Sequence, residues 1–281
     1  MRIKRIDSLD LIDLEPYRTL RRTMEHRAKG IFVAEGEKVV RRLIESNLGV
    51  VSILLTQEWL DRYSEILSSR RIEENIFLAE KGSLDKIVGY RLHQGIMAVG
   101  RVPEPFEIDD FTEKSSRPRL FVAVDGIANS ENIGVIVRSC AAFGVHVLIA
   151  GETSCDPYLR RSVRNSMGTI FNLPVSRVDN LSETLKKLRD KFSIRIIAAD
   201  PKEKSEEISS VDLTKDICLI FGSEGEGISR EIFEQCDVRV RIPMYHDVDS
   251  INVASSVGVV LYETVRQRMS QGFVPYPRET E

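Results

Sequence analysis

An alternation in the second half of the chain constrains the fold most: apolar runs of strand length, each followed by a helical pattern. LFVAVD has the pattern of a buried strand ending at Asp125, NIGVIVRSCAAFG has helical spacing and closes on Gly144, and VHVLIAG is again a strand, which makes a βαβ unit. Further strands at LPVSRV, IRIIAAD, ICLIFG and VRVRIP alternate with helical segments near 156–165, 181–191 and 229–235. Runs this uniformly apolar are buried on both faces, so the expectation is an α/β domain whose mostly parallel sheet is covered on each side. A last helix, roughly 251–269, places Val253, Val257, Val260, Leu261 and Val265 on one stripe. Its other positions Ala254, Ser255, Ser256 and Gly258 are small, which lets another helix or a loop approach closely.

The first hundred residues also alternate, through IFVAE, EKVVRRLIES, VVSILLT, NIFLAE and GIMAVGRV, and predict a separate small α/β domain. Between the halves, RVPEPFEIDDFTEKSSRPR mixes prolines, acids and serines without periodicity, as an exposed linker does. With 281 residues, two domains are expected: 1–102, a linker at 103–117, and 118–281.

No apolar run reaches the roughly 18 residues that a membrane-spanning helix needs. The start, MRIKRIDSLDLIDLE, carries acids where a signal peptide would be apolar, so a cytoplasmic location is expected. Cys140, Cys155, Cys218 and Cys236 have no CxxC spacing and lie in or beside apolar segments, as structural thiols rather than metal ligands, and no metal is expected.

A net charge of −3 does not advertise a nucleic-acid binder, but local clusters matter more than the total. Arg18, Arg21, Arg22, Arg27, Lys29, Lys38, Arg41 and Arg42 outnumber the acids Glu25, Glu35 and Glu37 around them, and RRSVR adds Arg160, Arg161 and Arg164. The candidate RNA contacts are Arg18, Arg22, Arg27, Lys38, Arg41, Arg160, Arg161 and Arg164, although solvated helix faces would carry the same charges.

Ligands in open parallel sheets bind at strand-to-helix turns, and three such turns stand out. In DGIANSENIGVIVRSCAAFG, Asn132 and Gly134 open a helix, with Arg138 about one turn further along, near enough to project toward the same edge of the sheet. LIFGSEGEGIS places Gly222, Gly225 and Gly227 around Glu224 and Glu226. RIPMYHDVDSINVASSVG runs from a strand into a loop, with Ser250 at an N-cap position before the last helix. The glycine turn is GxxGxG rather than the dinucleotide GxGxxG, lacks the GK[ST] of a P-loop, and carries glutamates that repel phosphate, so a cationic ligand such as a sulfonium suits it better.

Together these segments resemble the signature of the SpoU (TrmH-like) family of SPOUT methyltransferases over about residues 118–270. Asn132, Gly134 and Arg138 correspond to the first motif, Gly222, Glu224, Gly225 and Gly227 to the second, and Ile242, Pro243, Met244, Ser250, Asn252 and Ala254 to the third. IFVAEGEKVVRRLIES, with Gln94 and Gly95 in HQGIMAVG, is similar to the ribosomal-protein-like substrate-binding domain that many members carry in front. Ser130, Ser223 and Ile251 depart from the family's usual Pro, Asn and Leu, and none of these removes a charged or reactive group.

The resemblance implies a deep trefoil knot, a homodimer, and S-adenosylmethionine held by Phe221, Gly222, Ser223, Gly225, Ile242, Met244 and Ile251. It implies methyl transfer to a ribose 2'-hydroxyl of RNA, with the leading domain favouring ribosomal over transfer RNA. Arg138, Asn132, Glu224, Ser250 and Asn252 are the implied catalytic residues. A guanidinium stays protonated, so Arg138 is better suited to gripping the phosphate beside the target ribose than to acting as a base. Asn132 and Ser250 would orient the ribose or Arg138, Glu224 would order the motif loops or hold Arg138, and Asn252 would fix the loop at the last helix. Helix capping by Asn132 or Ser250, or an ordinary surface role for Arg138, are the structural alternatives. His246 lies in the third motif loop without an orienting partner in sequence and is not assigned a role. A non-catalytic RNA-binding protein of the same fold, base methylation, and NAD-dependent redox chemistry are the competing functions. Intact Arg138, Glu224 and Ser250, the SINVA segment and the glycine spacing, respectively, argue against them.

Overall fold

A computed structural model describes residues 2–6, 11–69, 75–80, 82, 95–202, 204–246 and 248–273. Gln94 of the leading-domain motif lies outside them. The chain divides into two compact units, Met1–Glu104 with Tyr158–Asn172, and Pro105–Pro157 with Leu173–Glu281.

The first unit is built on a five-stranded sheet in the order β1-β4-β3-β5-β2. Its strands are β1 (Arg2–Arg5), β2 (Ile31–Glu35), β3 (Val50–Leu55), β4 (Asn75–Leu78) and β5 (Ile96–Arg101). β4 pairs in parallel with β1 and β3, and β5 runs antiparallel to β2 and β3. Helices α1 (Glu15–Arg18), α2 (Thr23–Ala28), α3 (Glu37–Glu45) and α4 (Gln57–Ser69) complete it. Leu14, Tyr17, Val33, Leu54, Phe77, Met97 and Val99 form one core, in which the buried Tyr17 hydroxyl meets Ser52 Oγ at 2.9 Å. Phe32 packs against Tyr158 and Phe171, with ring centroids 5.5 Å and 5.3 Å away, and so anchors the later segment Tyr158–Asn172. That segment carries the short helix Arg160–Asn165, which starts later than the expected 156 because Leu159, with an extended ψ of 141°, is its N-cap.

The second unit has a seven-stranded, all-parallel sheet in the order β10-β12-β9-β11-β6-β7-β8. These are β6 (Leu120–Val124), β7 (Val147–Ala150), β8 (Val175–Arg177), β9 (Arg195–Ala199), β10 (Glu206–Glu207), β11 (Ile217–Phe221) and β12 (Val238–Arg241). The helices are α5 (Ile108–Lys114), α6 (Ser130–Ala142), α7 (Leu181–Phe192), α8 (Arg230–Phe233) and α9 (Val253–Ser270). Phe121, Ala123, Ile149, Ile196, Ala198, Cys218 and Ile220 pack on one face with Ile108, Leu181, Leu185, Leu188 and Ile232. The alternate residues Val122, Leu148, Ile197 and Leu219 are buried as well, so both faces of the sheet are covered, as the uniformly apolar runs require.

Two readings change. The stretch expected to be a featureless linker contains α5, held by its buried Ile108 and Thr112 and by Lys187 and Lys191, which reach Asp109 at 3.2 Å and 3.0 Å. In α9 the buried stripe runs from Val253 through Val257, Val260 and Leu261 to Thr264 and Arg268, while Val265 is half-buried. A period of 3.6 selects Thr264 and Arg268 whatever their polarity, and both are satisfied there. Thr264 Oγ1 donates to Val260 O at 2.8 Å. The Arg268 guanidinium donates to the carbonyls of Leu213, Pro118, Arg119 and Lys215 at 3.2, 2.9, 2.8 and 2.7 Å. Burial pulls the pKa of Arg268 down to about 10, which leaves it charged at neutral pH.

Candidate active site

Parallel strands present their C-terminal ends along one edge of the sheet. There the three adjacent strands β12, β9 and β11 end in loops that enclose a cavity of about 460 Å³, within the range of small-molecule sites. The turn after β11 closes on itself. Ser223 and Gly227 exchange two backbone N–H···O bonds of 3.0 Å, and Ser223 Oγ accepts from Glu226 N at 3.1 Å. Gly227 has a φ of +75°, which favours glycine, and a Cβ on Gly222 would lie 2.2 Å from the carbonyl carbon of Gly227. Gly225 has neither constraint and faces open space on the cavity wall.

Residues far apart in the chain meet beside this turn. Asn132 on the first turn of α6 donates through Nδ2 to Glu224 Oε1 at 2.9 Å, and Asn252 Nδ2 donates to the same oxygen at 2.6 Å and to Asn132 Oδ1 at 3.2 Å. Asn252 also caps α9, because its Oδ1 accepts from the N–H groups of Ala254 at 2.9 Å and Ser255 at 3.4 Å. The structural alternative of helix capping by Ser250 and Asn132 is not realised: Asn252 caps α9 and Asn129 caps α6. In each case the capping residue has the extended ψ that aims its side chain at the first free N–H groups. Freed from capping, Asn132 can bind Glu224.

The structure thus joins Asn132, Glu224 and Asn252, one residue from each motif. Arg138 is exposed on α6 and Ser250 is exposed on the cavity wall, and among the described residues neither side chain has a hydrogen bond or ion pair. Glu224 is engaged by the two asparagines and not by Arg138. Of the residues expected around the cofactor, Gly222, Ser223, Gly225, Ile242, Met244 and Ile251 line the cavity. Phe221 lies one residue back, buried in β11, and its carbonyl accepts from Asp125 N at 2.9 Å. His246 is exposed and adopts a φ of 60°.

Sequence reading missed several residues here. Asp200, Lys202 and Asp249 line the cavity beside Glu226 of the acidic turn, and Asp200 directly follows β9, so its place at the C-terminal end of a strand was the available signal. Asp125 fastens the turns from below, accepting from Thr153 Oγ1 at 3.2 Å and from Ser229 N, before α8, at 2.7 Å. Burial raises the thiol pKa of Cys155 to about 11 and of Cys236 to about 12, which keeps both protonated. No helix among the described residues is long and apolar enough to cross a membrane.

All eight candidate RNA contacts fall in the first unit, including Arg160, Arg161 and Arg164 from the later segment. Several are engaged within it: Arg160 reaches the buried Glu35 at 2.7 Å with Arg164 at 4.0 Å, Arg41 pairs with Glu45 at 2.7 Å, and Arg22 with Glu25 at 3.3 Å. Arg18 donates to Leu11 O at 3.5 Å, and Arg18, Arg27, Lys38 and Arg161 are exposed.

Residues 119–262 match the SpoU rRNA Methylase family. A Mycobacterium tuberculosis protein named as an uncharacterized tRNA/rRNA methyltransferase is 30% identical over 243 residues, which cover 85% of this chain and 82% of that one. A Mycobacterium leprae protein of the same description is 33% identical over 86% of this chain and 72% of its own. Among solved structures, the SpoU methyltransferase AviRb from Streptomyces viridochromogenes superposes with a TM-score of 0.78 at 28% identity, covering 91% of this chain and 96% of that one. The same enzyme is known in complex with the cofactor AdoMet, and that structure also has a TM-score of 0.78, at 26% identity over 91% of this chain and 99% of its own.

Proposed function

The chain belongs to the SpoU rRNA methylase family, and from that premise we propose that it transfers a methyl group from S-adenosylmethionine to a ribose 2'-hydroxyl of RNA. The observation that carries this reading is the convergence of the three motif loops, through Asn132, Glu224 and Asn252, on the rim of a cavity at the strand ends. The lining fits such a cofactor: Asp200, Glu224, Glu226 and Asp249 outnumber Lys202, a charge balance suited to a sulfonium, while Ile242, Met244 and Ile251 offer apolar surface for a nucleobase. When bound, S-adenosylmethionine would supply an electrophilic methyl group.

The protein's part is positioning. Gly222, Ser223, Gly225, Ile242, Met244 and Ile251 would hold the cofactor. Arg138, exposed and without a partner among the described residues, is available for the phosphate beside the target ribose. Neutralising that phosphate lowers the cost of removing the hydroxyl proton, which leaves to the phosphate or to water as the ribose oxygen takes the methyl group and S-adenosylhomocysteine departs, and Ser250 is free to orient the ribose. A trefoil knot formed by the loops after β11 is carried over from the family, and the strand order β12-β9-β11-β6-β7 is compatible with it. Dimerisation is supported by the exposed Val135 of α6 and by Val259 and Tyr262 of α9, on a helix where the space beside Gly258 is open. A separate leading unit, which family members acting on transfer RNA often lack, favours ribosomal RNA, and its exposed basic residues suit a phosphate backbone.

Incubation with methyl-labelled S-adenosylmethionine and separated ribosomal and transfer RNA, followed by nuclease digestion and nucleoside chromatography, tests this. Label in a 2'-O-methylnucleoside from ribosomal RNA is the expected result, and label in a base would overturn the ribose assignment. Arg138→Ala should abolish transfer while leaving cofactor affinity within a few fold; a fully active variant would exclude the assigned role.

A further inference from the structure

The loop after β9 carries a side chain that no other described residue satisfies. Asp200 is only 6% exposed, lines the cavity, and its Oδ2 is fully buried with no hydrogen-bond partner among the described residues. Its backbone is fixed, because Asp200 N donates to Val240 O at 2.9 Å and so fastens the residue between the ends of β9 and β12. On the other side β9 pairs with β11, in a register that sets Ala198 beside Ile220 and brings Asp200 level with Gly222. The carboxylate therefore stands between the two loops that line the cavity from β11 and β12. Lys202, also on the wall, makes a cation–π contact with Phe233, 5.9 Å from its centroid.

A buried carboxylate oxygen without a donor costs free energy, and such groups are satisfied by ordered water, an ion or a ligand; here the oxygen belongs to a residue on the wall of a cavity large enough for a ligand. We propose that Asp200 accepts hydrogen bonds from the ribose hydroxyls of the bound cofactor and makes this site selective for a ribonucleoside. The inference rests on the reading of the cavity as the S-adenosylmethionine site. The donors of that molecule are its ammonium, its adenine amino group and its ribose hydroxyls. The ammonium is the costliest to desolvate and belongs at the open mouth, whereas the nucleoside can enter against Ile242, Met244 and Val260. Within the nucleoside, the vicinal hydroxyls offer two donors at the spacing of two carboxylate oxygens.

The test is calorimetric and uses the full chain. S-adenosylhomocysteine, its 2'-deoxy and 3'-deoxy analogues and its N6-methyl analogue are titrated into wild type, Asp200→Asn and Asp200→Ala, and ligand-free melting temperatures are recorded. Wild type should bind the parent compound about ten- to a hundredfold more tightly than either variant, the loss expected for a hydrogen bond to a charged group. It should also bind at least one deoxy analogue more weakly than the parent, and the variants should lose that discrimination. Without ligand the variants should melt at or above the wild-type temperature, since an unsatisfied carboxylate has been removed. Equal affinities, or discrimination that survives in the variants, overturn the proposal. Asp200-dependent loss with the N6-methyl analogue alone would assign the carboxylate to adenine and overturn the ribose assignment. Lower ligand-free melting temperatures in both variants would give Asp200 a structural partner, with the same result. Absence of binding by wild type would instead overturn the cofactor reading itself.

Discussion

Asn252 carries two separable functions on one side chain, and replacing it by serine and by alanine takes them apart. Its Oδ1 caps α9 through Ala254 N and Ser255 N, while its Nδ2 reaches Glu224 and Asn132. Serine is about as good a cap as asparagine but is too short to reach Glu224 as the amide does, so Asn252→Ser should keep the cap and lose the bridge. Loss of a cap costs about 1 kcal/mol. The exposed bridge, partly replaced by water, adds about 0.5–1 kcal/mol. At about 2–4 °C per kcal/mol for a domain of 150–250 residues, Asn252→Ala should lower the melting temperature by about 3–8 °C and Asn252→Ser by about 1–4 °C. Methyl transfer should fall alike in both variants, because each frees Glu224 from the α9 end of the site. The assay pairs thermal melting with transfer to ribosomal RNA and with titration of S-adenosylhomocysteine. Equal melting temperatures for the two variants would refute the capping role, and wild-type transfer by Asn252→Ser would refute the bridge.

Three further outcomes follow from particular contacts. Gly222→Ala should destabilise the second unit or leave it unfolded, since the new Cβ would lie 2.2–2.3 Å from backbone atoms of Gly227 and Ile228, whereas Gly225→Ala should melt like wild type and weaken cofactor binding in a titration. His146 accepts from Leu120 N through Nδ1 at 3.2 Å, and burial, with smaller effects of Arg268 and Arg119 against that of Asp216, holds its pKa below the usual value. The unfolded chain therefore takes up this proton first as the pH falls through about 6.5, stability is lost below that point, and His146→Asn should flatten the decline of melting temperature between about pH 6.5 and 5. Glu35→Ala leaves the half-buried Arg160 without its 2.7 Å partner and should cost about 2–3 kcal/mol, measured by urea unfolding; a change under about 0.5 kcal/mol would show that the pair does not hold the segment Tyr158–Asn172.

The strands of the second unit were legible because long, uniformly apolar runs have few other destinations, and LFVAV, ICLIF and RIIAA became β6, β11 and β9. Elements set by partners distant in sequence were not. In α5 the helix owes its place to the stacking of Phe111 between Phe106 and Phe121, 5.1 Å and 6.3 Å away, and to lysines eighty residues later, none of which a local pattern shows. Helix α4 carries Trp59, Tyr63 and Leu67 at a spacing of four, a stripe too sparse to stand out among polar neighbours. In the site, the motif spacing identified Asn132, Glu224 and Asn252, but their division of labour depends on backbone angles at Asn129 and Asn252, which spacing does not encode. Asp200 escaped because its turn contains no glycine and its significance lies in a buried oxygen that no other described residue reaches.

Helix α9 explains why these pieces act together. Its first residue boundary is Asn252, bonded to motif residues 120 and 28 positions earlier, and near its other end Arg268 gathers four carbonyls from the segments that lead into β6 and β11. One rigid helix therefore spans from the starts of the central strands to the loops at their finishes. Without α9, Asn132 and Glu224 keep their direct bond but lose the amide that holds them both, and the carbonyls of Pro118, Arg119, Leu213 and Lys215 lose their shared donor. The catalytic arrangement should thus form in the same cooperative step that docks this last helix, and substitutions at Arg268, far along the helix from the cavity, should weaken cofactor binding as well as stability. Arg268→Met tests this: reduced affinity for S-adenosylhomocysteine at a temperature where the variant remains folded supports the coupling, and wild-type affinity under the same conditions breaks it.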